Sequence, residues 1–350
     1  MTMGNLARTE PTTWPIVSEP LSFSTLMSLR TCPRRWAYSR ARFEPGGHFD
    51  DKGRIQERAS WSAIRGRAVH KTLERLLDIH QQNGGPAAGS WALLQFWKRH
   101  LPQGGVPAVV AAALDEELAL IERSSRNRTI MQWLKQCAAR NIGDLVAAAN
   151  SKLNLALKAV SSPRGLASKP LATRRELREG SHAEAVVEAE LGGSSRLRLW
   201  RGTIDVASIA ANRIVLVDYK GGDEDPSHRE QLELYALLYA KDALVNPAGR
   251  RAAELMLAYD RGRTIVWPAP DATQLALIEN RTSDEIEHLI KLAESSPPAA
   301  QPSIDACGFC SARALCSAYW NEPVAGEGAY FDLELRDCYE AALLMGFEAA

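Results

Sequence analysis

The chain of 350 residues has no net charge, since 42 Lys and Arg balance 42 Asp and Glu, so no global field advertises a polyanionic partner. Nucleic acid is not thereby excluded, because a local basic stripe is what meets phosphates. Each hydrophobic run is interrupted by Arg, Lys, Asp or Glu, which argues against a membrane span and against a membrane partner. The opening residues hold Glu10, Pro11, Pro15 and Pro20 rather than an apolar stretch, so no signal peptide is expected and the expected location is cytoplasmic. Only six cysteines are present, too few and too unevenly spaced for a disulfide scaffold, and 350 residues need none to bury a core. With 45% hydrophobic and 24% charged residues, composition is that of an ordinary folded protein.

Periodicity divides the chain. Ser24 to Arg40 reads as a short helix with Pro33 as a potential break, and Arg67 to Ile79 as a clearer one through Val69, Leu73, Leu76 and Leu77. Trp91 to Val160 is rich in Ala and Leu with helical spacing. Strand-like runs follow at 185–190, 196–209, 213–220, 255–259 and 264–267, with helices at 228–240 and 271–293. The expected organisation is a flexible arm at 1–20, N-terminal helices at 21–80, a helical insertion at 81–170, a core at 171–300, a cysteine segment at 301–325 and a tail at 326–350.

The strongest chemical signal is Gly202-Thr203-Ile204-Asp205 followed by Ile214-Val215-Leu216-Val217-Asp218-Tyr219-Lys220. A hairpin turning at Ala211-Asn212 sets Asp205 opposite Asp218, and alternation puts Lys220 on the side of Asp218 while Tyr219 points away. Facing carboxylates destabilise a strand pair by roughly 0.2 to 1 kcal/mol. A hard divalent ion, Mg²⁺ or Mn²⁺, removes that conflict and can polarise a phosphodiester. A surface ion pair at a hairpin end is the bland alternative.

At these residues the sequence resembles the PD-(D/E)XK nuclease superfamily, in particular its RecB-type branch. Gly66-Arg67-Ala68-Val69-His70 has the form of that branch's early helical motif, and Gln231-Leu232-Glu233-Leu234-Tyr235 that of its later one. The resemblance implies an α/β restriction-endonuclease-like core with a central mixed sheet. It implies Asp205, Asp218, Lys220, Gln231 and Tyr235 as catalytic residues, and His70, Asp205 and Asp218 as metal ligands. The implied activity is that of a Mg²⁺- or Mn²⁺-dependent deoxyribonuclease, exonucleolytic or end-processing, in repair, recombination or anti-phage defence, beside a helicase or defence-system partner. A non-cleaving DNA-end-binding subunit is the alternative, and RNA a further substrate. Glu188 and Glu190 are candidates for an accessory acidic role.

Cys307-Gly308-Phe309-Cys310 and Cys316 have the spacing of thiolate ligands. With Cys32 they resemble AddB-type nuclease domains and CRISPR-associated four-cysteine exonucleases. That resemblance implies Cys32, Cys307, Cys310 and Cys316 around a 4Fe-4S cluster that staples the N- and C-terminal regions together, with zinc as the alternative metal. Cys137 and Cys338 have no spacing partner. Arg34, Arg35 and Trp36, among further basic and aromatic residues at 30–42, together with Arg54, Arg58 and Arg67, are candidates for contacting DNA ends or single strands.

Overall fold

A computed structural model describes residues 11, 13–43, 61–86, 91–124, 128–159, 174–193, 195–221, 223–259, 263–303, 306–307, 310, 312 and 316–321. Arg54, Arg58, Cys338, the side chain of Cys137, most of the expected arm and the whole tail at 326–350 lie outside the described residues. The chain divides into two compact units. One comprises 1–58, 194–197 and 283–350, and the other 59–193 and 198–282.

The larger unit is built on a five-stranded mixed sheet in sequential order, β1 (Gly180–Glu190), β2 (Leu199–Ile209), β3 (Ile214–Lys220), β4 (Glu254–Tyr259) and β5 (Thr264–Pro268). All neighbours are antiparallel except β3 and β4, which run parallel and are joined through helix α7 (Pro226–Lys241). A parallel pair needs such a crossover. Strand β3 is the most buried, with every residue from Ile214 to Tyr219 inside, which accounts for its unbroken Ile-Val-Leu-Val run. Edge strand β5 alternates exposed and half-buried residues and ends in Pro268, which suits a position with one unpaired side. The turn between β2 and β3 falls where spacing predicts: the Ala210 amide donates to Arg213 O at 2.8 Å.

Four further helices of this unit are α3 (Trp61–Gln82), α4 (Trp91–His100), α5 (Gly105–Ser124) and α6 (Arg128–Ala159), and a fifth, α8 (Ala272–Ala293), begins in it. Leu73, Leu76 and Leu77 of α3 join Leu93, Phe96, Val109 and Leu153 in one apolar cluster with Val206, Val215, Val217 and Tyr219 of the sheet. A second cluster knits α3 to α5 and α6, where Ala68, Ala138, Ala148 and Ala149 let the helices approach closely. The Ala-rich stretch is thus a helical layer that buries its stripe on itself and on the sheet. At the far end of α7, the buried Asp242 carboxylate accepts from Arg174 Nη2 at 2.8 Å, from the Glu188 amide at 2.7 Å and from the Leu244 and Val245 amides at 3.0 Å. This hub ties the segment before β1, and Glu188 near the end of β1, to the end of α7.

In the smaller unit, α1 (Phe23–Thr31) and α2 (Pro33–Arg40) are separate helices. The break expected at Pro33 falls there: α1 ends at Thr31 and Pro33 opens α2, at the first position where its missing N–H is harmless, with Cys32 Sγ capping α2 by accepting from the Arg35 amide at 3.4 Å. The N- and C-terminal segments do meet in this unit. The Arg34 amide donates to Ala299 O at 2.9 Å, and Arg34 Nε donates to Pro298 O at 2.7 Å. Arg30 grips Glu285 with both Nε and Nη2, and Tyr38, Ala41 and Phe43 pack with Cys310 and Ala312. The expected iron–sulfur staple is corrected accordingly. Among the described residues the ends are joined by hydrogen bonds, an ion pair and apolar packing, and no three cysteine sulfurs come within 4.8 Å of one another. Cys32, Cys307, Cys310 and Cys316 form no disulfide and line one apolar cavity, where burial pushes the Cys310 thiol up to about 12 and so favours its neutral form.

Candidate active site

Strand register assembles the site. Pairing of Ala183 with Val206 and of Ala185 with Ile204 leaves Glu184 facing Asp205, and pairing of Val206 with Val217 leaves Asp205 facing Asp218 at the next position. Three carboxylates therefore stand at one level on three adjacent strands. Glu184 takes a left-handed backbone, φ 49°, which strains a residue with a side chain by on the order of 1 kcal/mol or more. Such strain concentrates where geometry serves a ligand.

Asp205 Oδ2 accepts from the Tyr219 amide at 2.6 Å, which fixes it across the β2–β3 seam. Lys220 Nζ lies 2.7 Å from Asp218 Oδ2 and donates to Gln231 Oε1 at 2.6 Å, and Gln231 Nε2 donates in turn to Tyr235 OH at 2.7 Å. Residues 231 and 235 are one helical turn apart on α7, so both reach the same strand end. The Tyr235 ring lies against Gly202, where a Cβ would meet ring carbon Cε1 at 2.6 Å, so only glycine admits it.

Electrostatics show a cluster short of positive charge. Burial first, and Asp205 second, push the Asp218 carboxyl up to about 6. Burial, then Asp205, Glu74 and Asp218, push Glu184 up to about 7. Asp205 is also raised, mainly by burial, against the pull of the Tyr219 amide and of Lys220 and Lys152. Burial and then Lys152 lower His70 to about 4, leaving the neutral imidazole that ligates metals.

His70, Glu184 and Asp205 bring one ligand atom each to within 4.8 Å of one another, the only such group among the described residues. The donors, two carboxylates and an imidazole, suit a hard or borderline divalent ion. Asp218 Oδ2 adds an independent sign of fit. It is buried, with the Lys220 ammonium at 2.7 Å against it, and burial and the facing Asp205 still hold the Asp218 carboxyl above its ordinary range, so the cluster carries more carboxylate than its own cation offsets. The cofactor expected at the cysteines is corrected by the same finding: the candidate metal centre is His70, Glu184 and Asp205, not a four-cysteine iron–sulfur or zinc set.

The structure thus brings together His70, Asp205, Asp218, Lys220, Gln231 and Tyr235 in one unit. Of the expected nucleic-acid contacts, Arg34, Arg35 and Trp36 belong to the smaller unit and Arg67 to α3 of the larger one. Trp36 is 2% exposed, Arg34 is engaged with Pro298 O and Ser317, and Arg35 lines the cysteine cavity. Arg67 lies on α3, paired to Glu117 at 2.6 Å. Sequence reasoning missed Glu184. It favoured Glu188, whose carboxylate is instead held by Arg174 and Arg201, and Glu190, which is exposed. The eight residues between β1 and β2 do not fix a register, so nothing in the sequence marks Glu184 as the partner of Asp205. Lys152, 2% exposed on α6 with its ammonium 6.0 Å from the Tyr219 ring centre, also went unremarked.

With its sheet, strand-borne carboxylates and lysine, the chain belongs to the PD-(D/E)XK nuclease superfamily, whose family profile matches residues 20–317. The core is therefore an α/β restriction-endonuclease-like one with helical insertions. What is shown is the superfamily; the narrower likeness to branches with a four-cysteine cluster is corrected, since the ligand set found is histidine and carboxylates. No curated protein matches the chain. Among solved structures, SSO0001 is similar at 18% identity and a TM-score of 0.27, over 40% of this chain and 61% of its own. The chain thus spans about 61% of that protein's length. A candidate exonuclease from Eubacterium rectale is similar at 11% identity and a TM-score of 0.36, over 89% of this chain and 91% of its own. No helix among the described residues is long and apolar enough to cross a membrane.

Proposed function

We propose that this protein hydrolyses DNA phosphodiesters with Mg²⁺ or Mn²⁺, acting at ends or on single strands. The observation that carries the reading is the row of Glu184, Asp205 and Asp218 on adjacent strands, with His70 in ligand reach of the first two and Lys220 beside the third. His70, Glu184 and Asp205, with Asp218 beside them, would hold the ion. Bound there, it supplies a Lewis acid that polarises the phosphodiester and lowers the pKa of an attacking water.

The chain's own groups supply the rest. Lys220 is aimed by Gln231 Oε1, and its remaining protons can orient a water or offset the charge that develops on the phosphate oxygens. Tyr235, held by Gln231 and seated on Gly202, keeps that amide turned toward the lysine. Tyr219 fixes Asp205 through its backbone while its ring joins the apolar cluster, so the carboxylate row rests on a rigid floor.

The test is a time course on end-labelled single- and double-stranded DNA, and on matched RNA, with Mg²⁺ or Mn²⁺. Metal-dependent shortening of DNA is expected, with Asp218→Ala and Lys220→Ala each losing at least ~100-fold in kcat. Wild-type protein that binds DNA ends yet never cuts them points instead to an end-binding subunit. Undiminished cutting by both variants refutes the assigned site, and preference for RNA refutes the substrate.

A further inference from the structure

Helix α7 presents Gln231 and Tyr235 to the site, and one turn earlier on the same face stands His228, since positions 228, 231 and 235 follow the three-and-four spacing of one helical stripe. Its Nδ1 lies 3.1 Å from the Tyr259 hydroxyl. Tyr259 is the strand neighbour of Lys220, paired with it in the β3–β4 register. The His228 ring is therefore anchored to the strand end beside the lysine ammonium.

Resting on the nuclease reading above, we propose that His228, oriented by Tyr259, is a further substrate-contacting residue of this site, donating Nε2–H to a phosphate oxygen of the bound strand. We take the Tyr259 phenol as the donor to Nδ1, which leaves the ring proton on Nε2. That nitrogen has no partner among the described residues, and the ring is half-buried rather than enclosed. Burial, and then the charge of Lys220, lower its pKa, so it meets phosphate as a neutral donor and does not compete with Lys220 as a second cation. Its Nδ1 edge ties α7 to β4, and the Nε2 edge is not needed for capping. The first turn of α7 is already capped by Asp225 Oδ1, which accepts from the Ser227 amide at 2.7 Å. A donor here would seat a phosphate so that the scissile bond falls beside Lys220.

The experiment compares His228→Leu, His228→Gln and Tyr259→Phe in the full chain. Gln can place its amide N–H near the position of Nε2, whereas Leu keeps bulk and loses the donor. Losing one hydrogen bond to a charged group predicts a fall in kcat/KM of roughly 10- to 100-fold for Leu, and recovery to within about threefold for Gln. Tyr259→Phe, which frees the ring, should fall between them. DNA affinity measured with Ca²⁺ in place of Mg²⁺ should follow the same order. Wild-type rates in His228→Leu, or Gln as poor as Leu with a matching loss of thermal stability, overturn the proposal. Should the wild type cut no DNA, the nuclease reading fails by itself. The affinity series then decides the role of His228, an unchanged affinity in the Leu variant refuting it.

Discussion

Asp218→Asn should stabilise the metal-free protein while abolishing cleavage. The Asp218 carboxyl is lifted from an ordinary 3.8 to about 6, by burial first and by Asp205 second. At about 1.4 kcal/mol per pKa unit, keeping it ionised above pH 7 costs the folded state about 3 kcal/mol relative to the unfolded chain. Its folded value is raised, so the stability due to the protonated form is complete below the unfolded value and is lost as pH rises through about 6. Asparagine removes that penalty, which is already net of the pull of Lys220 2.7 Å away, so the gain at pH 7.5 is about 3 kcal/mol. With a urea slope of about 3 kcal/mol per molar, the unfolding midpoint in EDTA should rise by roughly 1 M. The advantage should shrink between pH 6 and 4, as the wild-type carboxyl takes up its proton, and also on adding Mn²⁺ at pH 7.5. An asparagine variant no more stable than wild type in EDTA at pH 7.5 would refute the claim that this cluster is held in the fold against its own repulsion.

Other consequences are equally direct. Glu184→Gln should weaken Mn²⁺ binding by roughly ten- to a hundredfold, measured by calorimetry, and unchanged affinity would remove Glu184 from the metal set. Gly202→Ala forces a methyl group against the Tyr235 ring at 2.6 Å, so it should cost about 1 to 3 kcal/mol in urea unfolding and slow cleavage, with backbone shifts at β2. A fully stable, fully active alanine variant would show that the ring can retreat freely. Asp242→Ala removes a carboxylate that serves Arg174 and three backbone amides, so a loss of about 3 to 5 kcal/mol is expected, seen as poor expression or a large fall in melting temperature.

Much of the site was legible because it is local. Asp205, Asp218 and Lys220 sit on two strands joined by a tight turn, so spacing and alternation alone bring them together, and Gln231 and Tyr235 follow from helical periodicity. The same reasoning placed Tyr219 on the opposite side, where it packs with the helical layer. Pro33 marked the break between α1 and α2, and it does so as the first residue of the second helix. The thiol spacing at Cys307, Cys310 and Cys316 suggested ligands, but spacing does not say how far apart side chains stand once the segment is folded.

What the sequence determined by itself were the element types and the turn between β2 and β3, because these depend on residues a few positions apart. Tertiary structure alone decided the partners that come from far along the chain. Lys152 reaches the carboxylates from a helix, Glu184 joins them through a register that its connecting loop does not fix, and Tyr259 stands beside Lys220 because two strands pair in parallel across a helical crossover. Such contacts are set by how apolar stripes pack and how backbone ladders align over long separations, and no local pattern encodes either.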